Sequence, residues 1–544
     1  MKRRRFLANG LGVAAGTLLL EGLAKDMLRA HGSSTLSHRS FSDGQSSRYS
    51  HRLPRTDTNY IHTKGYIEDV PVPEYTWASD EAYEAFRDIK YGVRLHWGMY
   101  SVWQLQKESW SYLGNLMPPF DFAKRQEYLQ LYKTFNPVDF DADQWMRMFN
   151  EWGMKMFAFT TKHHEGFSMF DTKTRVKRRA NWTAPGGPTI EECDLAYSIM
   201  ETPFKRDIVK ELCDAAHKHD IKIDLYFSHP DWYDADFRPY GYHPLQVPSS
   251  PKLLRTKWKD DDTELEEFNR TKTRLERLWT VVPDPTEEEI RRMIARHRAQ
   301  LKELLTNYGK IDMMCLDIYF GPTVWPQLRQ TMLELRRIQP NVMFRARGIG
   351  NYGDYYTPEG FVPGSKENSD VPWFVIYPLG QTFSYDPVAQ HYKGAEWVVK
   401  NLIDSVAKGG NFMVGIGPDA NGNFEATAMK QLSEVGQWLK TNGKAIYATR
   451  AREGELWKEG EQIRFTRTKD NKTVFAFSTV WPGDKLTLNS VRAKENSQIH
   501  LLGISQPLKW KPSSVGIEIE LGEQVRSQVK EVNRLAYAFR IQTA

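Results

Sequence analysis

From Asp80 to Asn442 the chain alternates short apolar runs with stretches in which apolar residues recur every three or four positions. The runs Tyr91–His96, Lys155–Thr160, Lys222–Ser228, Ile311–Asp317, Val342–Arg347 and Gly410–Ile416 predict strands. The recurring stretches Asp143–Trp152, Lys205–His219, Glu287–Asn307, Pro326–Ile338 and Ala426–Asn442 predict helices between them. Alternation at this interval predicts an α/β fold, a parallel sheet or a (β/α)8-like barrel, over residues 76–445. Polar residues gather where the strands end, as on the working face of a barrel. The pattern breaks near residues 233–285, where Pro- and Tyr-rich sequence, an Asp-Asp-Asp run and the charged stretch Glu264–Arg277 predict a surface insertion. After Ile446 the runs shorten to Gln462–Thr468, Thr473–Thr479, Lys485–Leu488, Gln498–Leu502 and Gly516–Leu521, which predicts a small C-terminal β-sandwich over residues 446–544. Residues 31–75, rich in Ser, His, Arg and Pro without apolar periodicity, read as an extended arm or linker.

Residues 1–30 add an address. Lys2-Arg3-Arg4-Arg5-Phe6-Leu7 precedes a modest apolar stretch, Leu11 to Leu20, and resembles a twin-arginine export signal. It implies passage through the Tat export machinery to a bacterial periplasm, or to an anchored or extracellular state. The stretch is too short to span a bilayer stably. Residues 1–30 hold six Lys/Arg and two Asp/Glu, so without them the formal charge falls from +6 to +2. A nearly balanced mature chain gives nucleic acid no electrostatic handle. Cys193, Cys213 and Cys315 lack zinc-type spacing. Cys315 reads as core, while Cys193 and Cys213 read equally as a disulfide or as free thiols. The 17 Trp and 25 Tyr suit stacking on sugar rings, but also any large aromatic core.

The chemistry gathers at strand ends. Met156 to Phe170 reads MFAFTTKHHEGFSMF: an apolar strand delivers Lys162, His163, His164 and Glu165 to one place. Such a set recognises a polyhydroxylated ligand or a metal. Asp317 ends the run Met313-Met314-Cys315-Leu316, too early to cap a helix begun at Pro326, and is a candidate nucleophile, base or metal ligand. Phe344-Arg345-Ala346-Arg347 leads into Asp354-Tyr355-Tyr356-Thr357-Pro358-Glu359, which puts a second carboxylate on a loop above the barrel face. Two carboxylates flanking a glycosidic bond are the minimum for its hydrolysis. Asp354 and Glu367 rival Glu359 on the same segment.

The combination resembles glycoside hydrolase family 29, the retaining α-L-fucosidases. Tyr91-Gly92-Val93-Arg94-Leu95-His96-Trp97-Gly98-Met99-Tyr100-Ser101-Val102 is similar to the family's F-G-x-F-x-H-W-G-x-Y-S-V. Thr160 to Phe167 resembles T-x-K-H-H-[DE]-G-F, and Asn442 to Arg450 resembles N-G-E-A-I-Y-G-T-R. Arg206–Val209, Leu225–Ser228 and Gly410–Gly422 match as well, in order, over roughly residues 76–544. The resemblance implies Asp317 as nucleophile and Glu359 as acid/base, with His96, His163 and His164 on the sugar hydroxyls and Arg347 nearby. Tyr226 and Trp232 become sugar-facing aromatics. It further implies an exo-acting enzyme releasing fucose from a fucosylated oligosaccharide or glycoconjugate, without metal or cofactor. Retention needs carboxyl groups ~5–5.5 Å apart and an acid whose pKa is raised in the free enzyme.

Three departures touch the rim. Glu108-Ser109-Trp110 stands one residue out of step with Glu-Trp-Tyr, Trp373-Phe374 replaces Trp-Glu, and Ile318 replaces the glycine after the nucleophile. Glu108, Trp110 and Trp373 are therefore assigned to the substrate rim. Two other readings compete. A metal-dependent hydrolase would use His163, His164, His229 and Asp231, but the first strand lacks a His-x-His pair. A relative that binds carbohydrate without cleaving it, or cleaves another sugar, is the second.

Overall fold

A computed structural model describes Leu53 and residues 63–113, 120–238, 243–246, 285–359 and 371–543. The export signal, much of the 31–75 arm, most of the 233–285 insertion and Glu367 lie outside the described residues. The barrel strands are β1 (Tyr91–Leu95), β2 (Met156–Lys162), β5 (Lys222–Ser228), β6 (Met313–Asp317), β7 (Met343–Phe344), β8 (Phe374–Pro378) and β9 (Asn411–Ile416), with a ribbon of β3 (Val176–Asn181) and β4 (Thr189–Leu195) after β2. The principal helices are α1 (Asp80–Ile89), α2 (Ala142–Glu151), α3 (Ile208–Lys218), α4 (Glu287–Thr306), α5 (Trp325–Ile338), α6 (Ala395–Ala407) and α7 (Ala426–Asn442).

The barrel strands run parallel in the order β7-β6-β5-β2-β1-β9-β8. The segment Asp354–Glu359, expected as a loop, closes this sheet. Arg345 pairs with Tyr355 on one side, while Tyr356 pairs with Trp373 and Glu359 with Ile376 on the other, all parallel. The Ala346 and Ile376 amides donate to Tyr355 O and Pro358 O at 2.8 and 3.1 Å. Glu359 thus sits on the barrel wall.

Side-chain alternation divides the core. Tyr91, Val93, Leu95, Phe157 and Phe159 pack in the core shared with the surrounding helices. Met156, Ala158, Met313, Met343, Phe374 and Met413 form an inner cluster with Tyr83, Phe86 and Ile89 of α1. That helix plugs the N-terminal end of the barrel. Helix starts follow their caps: Asp207 accepts from Lys210 N at 3.0 Å, so α3 begins at Ile208 rather than at Lys205. Thr286 and Glu289 close a capping box on α4.

Two stretches differ from the sequence expectation. In the arm, Leu53, Ile67 and Tyr75 are buried, and the Leu53 amide donates to Asn351 Oδ1 at 3.0 Å. In the insertion, Tyr233, Ala235 and Phe237 are buried, so its start belongs to the core. After α7, antiparallel strands build a sheet ordered β10 (Thr449–Ala451), β12 (Ile463–Thr468), β13 (Thr473–Ser478), β18 (Tyr537–Gln542), β15 (His500–Leu501), with β11 (Lys458–Glu459) on β12. A second sheet holds β14 (Lys485–Leu488), β17 (Ile517–Glu520) and β16 (Trp510–Pro512). Phe465, Phe539, Leu488 and Ile519 from both sheets share one core, which makes this a sandwich.

Candidate active site

Alternation along β1, β5 and β6 aims His96, Tyr226 and Asp317 at one point above the inner cluster. Asp317, the last residue of β6, has both carboxylate oxygens engaged. Tyr226 OH donates to Oδ2 at 2.6 Å, while Arg347 and Arg345 donate to Oδ1 at 2.8 and 3.3 Å. Burial works to raise this carboxyl's pKa, but Arg347 and Arg345, with the Tyr226 hydrogen bond, hold it well below the usual carboxylate range. Asp317 is therefore an anion at neutral pH. The next residue, Ile318, has φ 62°, a conformation that glycine adopts freely and a β-branched residue resists.

The histidines converge because β2 carries an irregularity between Thr160 and Lys162 that breaks its alternation. His164 Nε2 lies 3.6 Å from Asp317 Oδ2, and its ring packs at 5.0 Å from both Trp110 and Trp232. His163 Nδ1 pairs with Ser109 Oγ at 2.6 Å, and its ring stacks on Tyr226 at 5.8 Å. His96 lies flat on Phe383 at 5.1 Å. Burial, then Arg94, pushes His96 well below its ordinary pKa, and burial, then His163, does the same to His164. Both are neutral rings, and His96 Nδ1 and His164 Nδ1 have no hydrogen-bond partner among the described residues. A neutral imidazole donates from one nitrogen and accepts at the other, which suits sugar hydroxyls.

Glu359 completes the group. Arg345 Nη2 donates to its Oε1 at 2.6 Å, and Arg347 Nη1 lies 3.1 Å from the same oxygen. Since Arg347 Nη1 also holds Asp317 Oδ1, those two carboxylate oxygens lie under about 6 Å apart. The free site departs from the expected raised acid. Burial would lift the Glu359 carboxyl, but Arg347 and Arg345 outweigh it and hold the group below its ordinary pKa.

Other sequence candidates land elsewhere. Trp373 precedes β8 at the N-terminal end of the barrel and faces the helices; its ring fills the space over Gly410, so it lies away from the sugar pocket. Lys162 points outward to Asp231 (3.4 Å) and Gln300 (3.3 Å). Asp231 is taken by Arg296 at 2.6 Å and by the Tyr233 and Asp234 amides, and His229 pairs with His297 at 3.0 Å, so the residues of the metal reading face different partners. Asp354 is fully buried, with four donors around it. Glu108 supports the pocket at one remove: its Oε1 accepts from the Phe383 and Ser384 amides at 3.1 and 3.0 Å, which seats Phe383 beneath His96. The three cysteines are free thiols. Arg345, Ser109 and Phe383 went unmarked in the sequence, although Arg345 shares its strand face with Arg347 two residues on.

A parallel barrel with a buried anionic carboxylate, a second carboxylate beside it and neutral histidines at its strand ends defines a glycoside hydrolase site. The comparisons narrow the class. The family described as Alpha-L-fucosidase matches residues 70–444, and the Alpha-L-fucosidase C-terminal domain matches residues 458–542. The chain belongs to the alpha-L-fucosidase family, and it is an enzyme of the glycosidase class. Plasma alpha-L-fucosidase of Homo sapiens is 27% identical over 468 residues, 82% of this chain and 88% of that one. Alpha-L-fucosidase isoenzyme 1 from Paenibacillus thiaminolyticus has the same fold at TM-score 0.66 and 22% identity, covering 86% of this chain and 99% of that chain. A GH29 alpha-L-fucosidase of Bacteroides thetaiotaomicron, solved as a trapped covalent intermediate, superposes at TM-score 0.62 and 20% identity over 87% of this chain and 100% of that chain.

Proposed function

We propose that this protein is an exo-acting, retaining α-L-fucosidase that releases fucose from fucosylated glycans by double displacement. The observation that carries the reading is the carboxylate pair held on shared arginines, with the buried anion, Asp317, aimed into a pocket of neutral histidines. Asp317 attacks the anomeric carbon as Glu359 protonates the departing oxygen; water, deprotonated by Glu359, then releases the sugar with its configuration retained. His96, His163 and His164 hold the hydroxyls, Tyr226 orients the nucleophile, and Trp110 and Trp232 wall the sugar. The covalent intermediate trapped in the Bacteroides thetaiotaomicron protein supports the same course here. We also propose export by the Tat machinery to the periplasm or beyond, on the strength of the Arg-Arg-x-Phe-Leu segment.

The ion pair at Glu359 favours one rival, a relative that binds carbohydrate without cleaving it. One experiment separates the two: hydrolysis of an aryl α-L-fucoside and a panel of other aryl glycosides by the wild type and Asp317→Ala. Fucoside turnover that disappears in the variant supports the proposal. Turnover of another glycoside alone overturns the specificity. Fucose binding without turnover of any substrate supports the rival.

A further inference from the structure

Below the catalytic carboxylates the barrel interior holds a charged layer that continues from the arginines holding them. Arg94 on β1, Asp224 on β5, Cys315 on β6 and Arg345 after β7 are all buried there. The Cys315 sulfur lies between two guanidiniums, 3.3 Å from Arg345 Nη1 and 3.5 Å from Arg94 Nη1. Arg94 also lies under the Tyr226 ring, 4.5 Å from its centroid. Arg94 stands where the first-strand motif has a phenylalanine. Asp224 accepts from Tyr355 OH at 3.3 Å, and burial raises its pKa to about 6.

We propose that Arg345 is a positioning residue that fixes the place and charge of Glu359, and that Arg94 and Cys315 form the floor that holds it. The geometry is specific. Nη1 of Arg345 reaches Asp317 Oδ1 and Nη2 reaches Glu359 Oε1, so one fully buried guanidinium spans both carboxylates. A planar fork does this; an ammonium, a single point charge, does not. Glu359 is about one-third open to solvent, at 36% side-chain exposure, and the charged groups acting on it are, largest first, Arg347, Arg345, Asp317 and Arg94. Keeping Glu359 as an anion suits the second half of the reaction, where it takes a proton from water. The first half, where it gives one, then needs either acid pH or a sugar that draws Glu359 off Arg345. Arg345, together with Arg347, thereby sets the alkaline limb of the pH profile.

This inference rests on Glu359 being the acid/base, so the test reads its charge separately from turnover. In the full chain, the Glu359 carboxyl is titrated by 13C NMR in wild type and Arg345→Gln, with Glu359→Gln identifying the signal. The expected result is a rise of about one pH unit or more, the usual effect of losing one opposite charge at contact distance. The alkaline limb of kcat/KM on an aryl fucoside rises by the same amount. Arg345→Lys keeps the charge but not the fork, so its limb stays near wild type while kcat falls. Unchanged Glu359 titration in Arg345→Gln, with wild-type thermal stability, overturns the proposal. A shifted titration with an unshifted kcat/KM limb overturns the role of Glu359 as acid, and with it the positioning role. Silence of the wild type on fucosides defeats the functional reading alone, since the titration still reports whether Arg345 sets the charge.

Discussion

Replacing Asp354 by alanine should cost the protein much of its stability and leave the chemistry of each folded molecule intact. Asp354 lies at the start of the segment that closes the barrel. Its Oδ1 accepts from the Ala78 amide at 2.9 Å and from Tyr83 OH at 3.1 Å, and its Oδ2 from Arg336 Nη2 at 2.6 Å and the Phe344 amide at 2.8 Å. One carboxylate therefore ties the helix that plugs the barrel to the closing segment, to β7 and to α5. Alanine leaves Arg336 buried without its counter-charge, worth about 3–5 kcal/mol. It also strands buried backbone donors at ~1–3 kcal/mol each, partly relieved by water entering the space. A loss of roughly 4–6 kcal/mol is a large share of the ~5–15 kcal/mol that holds a typical protein folded. Asp354→Asn keeps one acceptor but turns an amide toward Arg336, and loses less. Urea unfolding at pH 7, followed by tryptophan fluorescence, measures both. A loss below about 1 kcal/mol would refute the structural assignment, since it would mean that Arg336 does not depend on this carboxylate. Fucoside hydrolysis that falls per folded molecule at wild-type stability would place Asp354 in the chemistry instead.

Three further outcomes follow from the same contacts. Tyr226→Phe removes the 2.6 Å hydrogen bond to Asp317; kcat/KM falls roughly 10- to 100-fold, in line with ~1.5–3 kcal/mol for a hydrogen bond to a charged group, and the acid limb moves up in pH because the carboxylate has lost a donor. Burial opposes ionisation of Asp231, yet Lys162 and Arg296 hold its pKa below the ordinary value, so its contribution is full above the unfolded value of ~3.9 and is lost as pH falls through the lower folded one; Asp231→Asn lowers stability at pH 7 and flattens the acid side of a stability–pH curve. Ile318→Gly relieves a left-handed β-branched residue, ~1–3 kcal/mol, against a burial loss of similar size, so thermal denaturation shows a change far smaller than the ~2–5 kcal/mol typical of truncating a core isoleucine.

Where the hydrophobic signal was strong, the sequence showed the fold. Lys222–Ser228 and Lys485–Leu488 match their observed strands end to end, and Ala426–Asn442 its helix. Elements with weak signals were hidden. Asp354–Glu359 closes the barrel with two tyrosines, a threonine and a proline in place of an apolar run. Val176–Asn181 reads as charged surface, because Arg178 and Arg179 find their partners across the ribbon and beyond it in Glu192, Glu191 and Glu289. For the site, a run ending in Asp317 and the His163-His164 pair were legible, since a strand's end is where side chains converge. Trp373 misled because its neighbourhood in sequence is near the site, whereas its place at the foot of β8 turns it toward the helices. Arg345 was hidden for the opposite reason: only the closing of the barrel brings Glu359 onto it.

The most direct test of the central claim is trapping. Incubation with 2-fluoro-fucosyl fluoride, followed by intact-mass analysis and peptide mapping, asks whether a glycosyl-enzyme forms and on which side chain. A single added fluorofucosyl group on Asp317, absent from Asp317→Ala, is the predicted result. Turnover of an aryl fucoside without any adduct, or an adduct on another carboxylate, would contradict it.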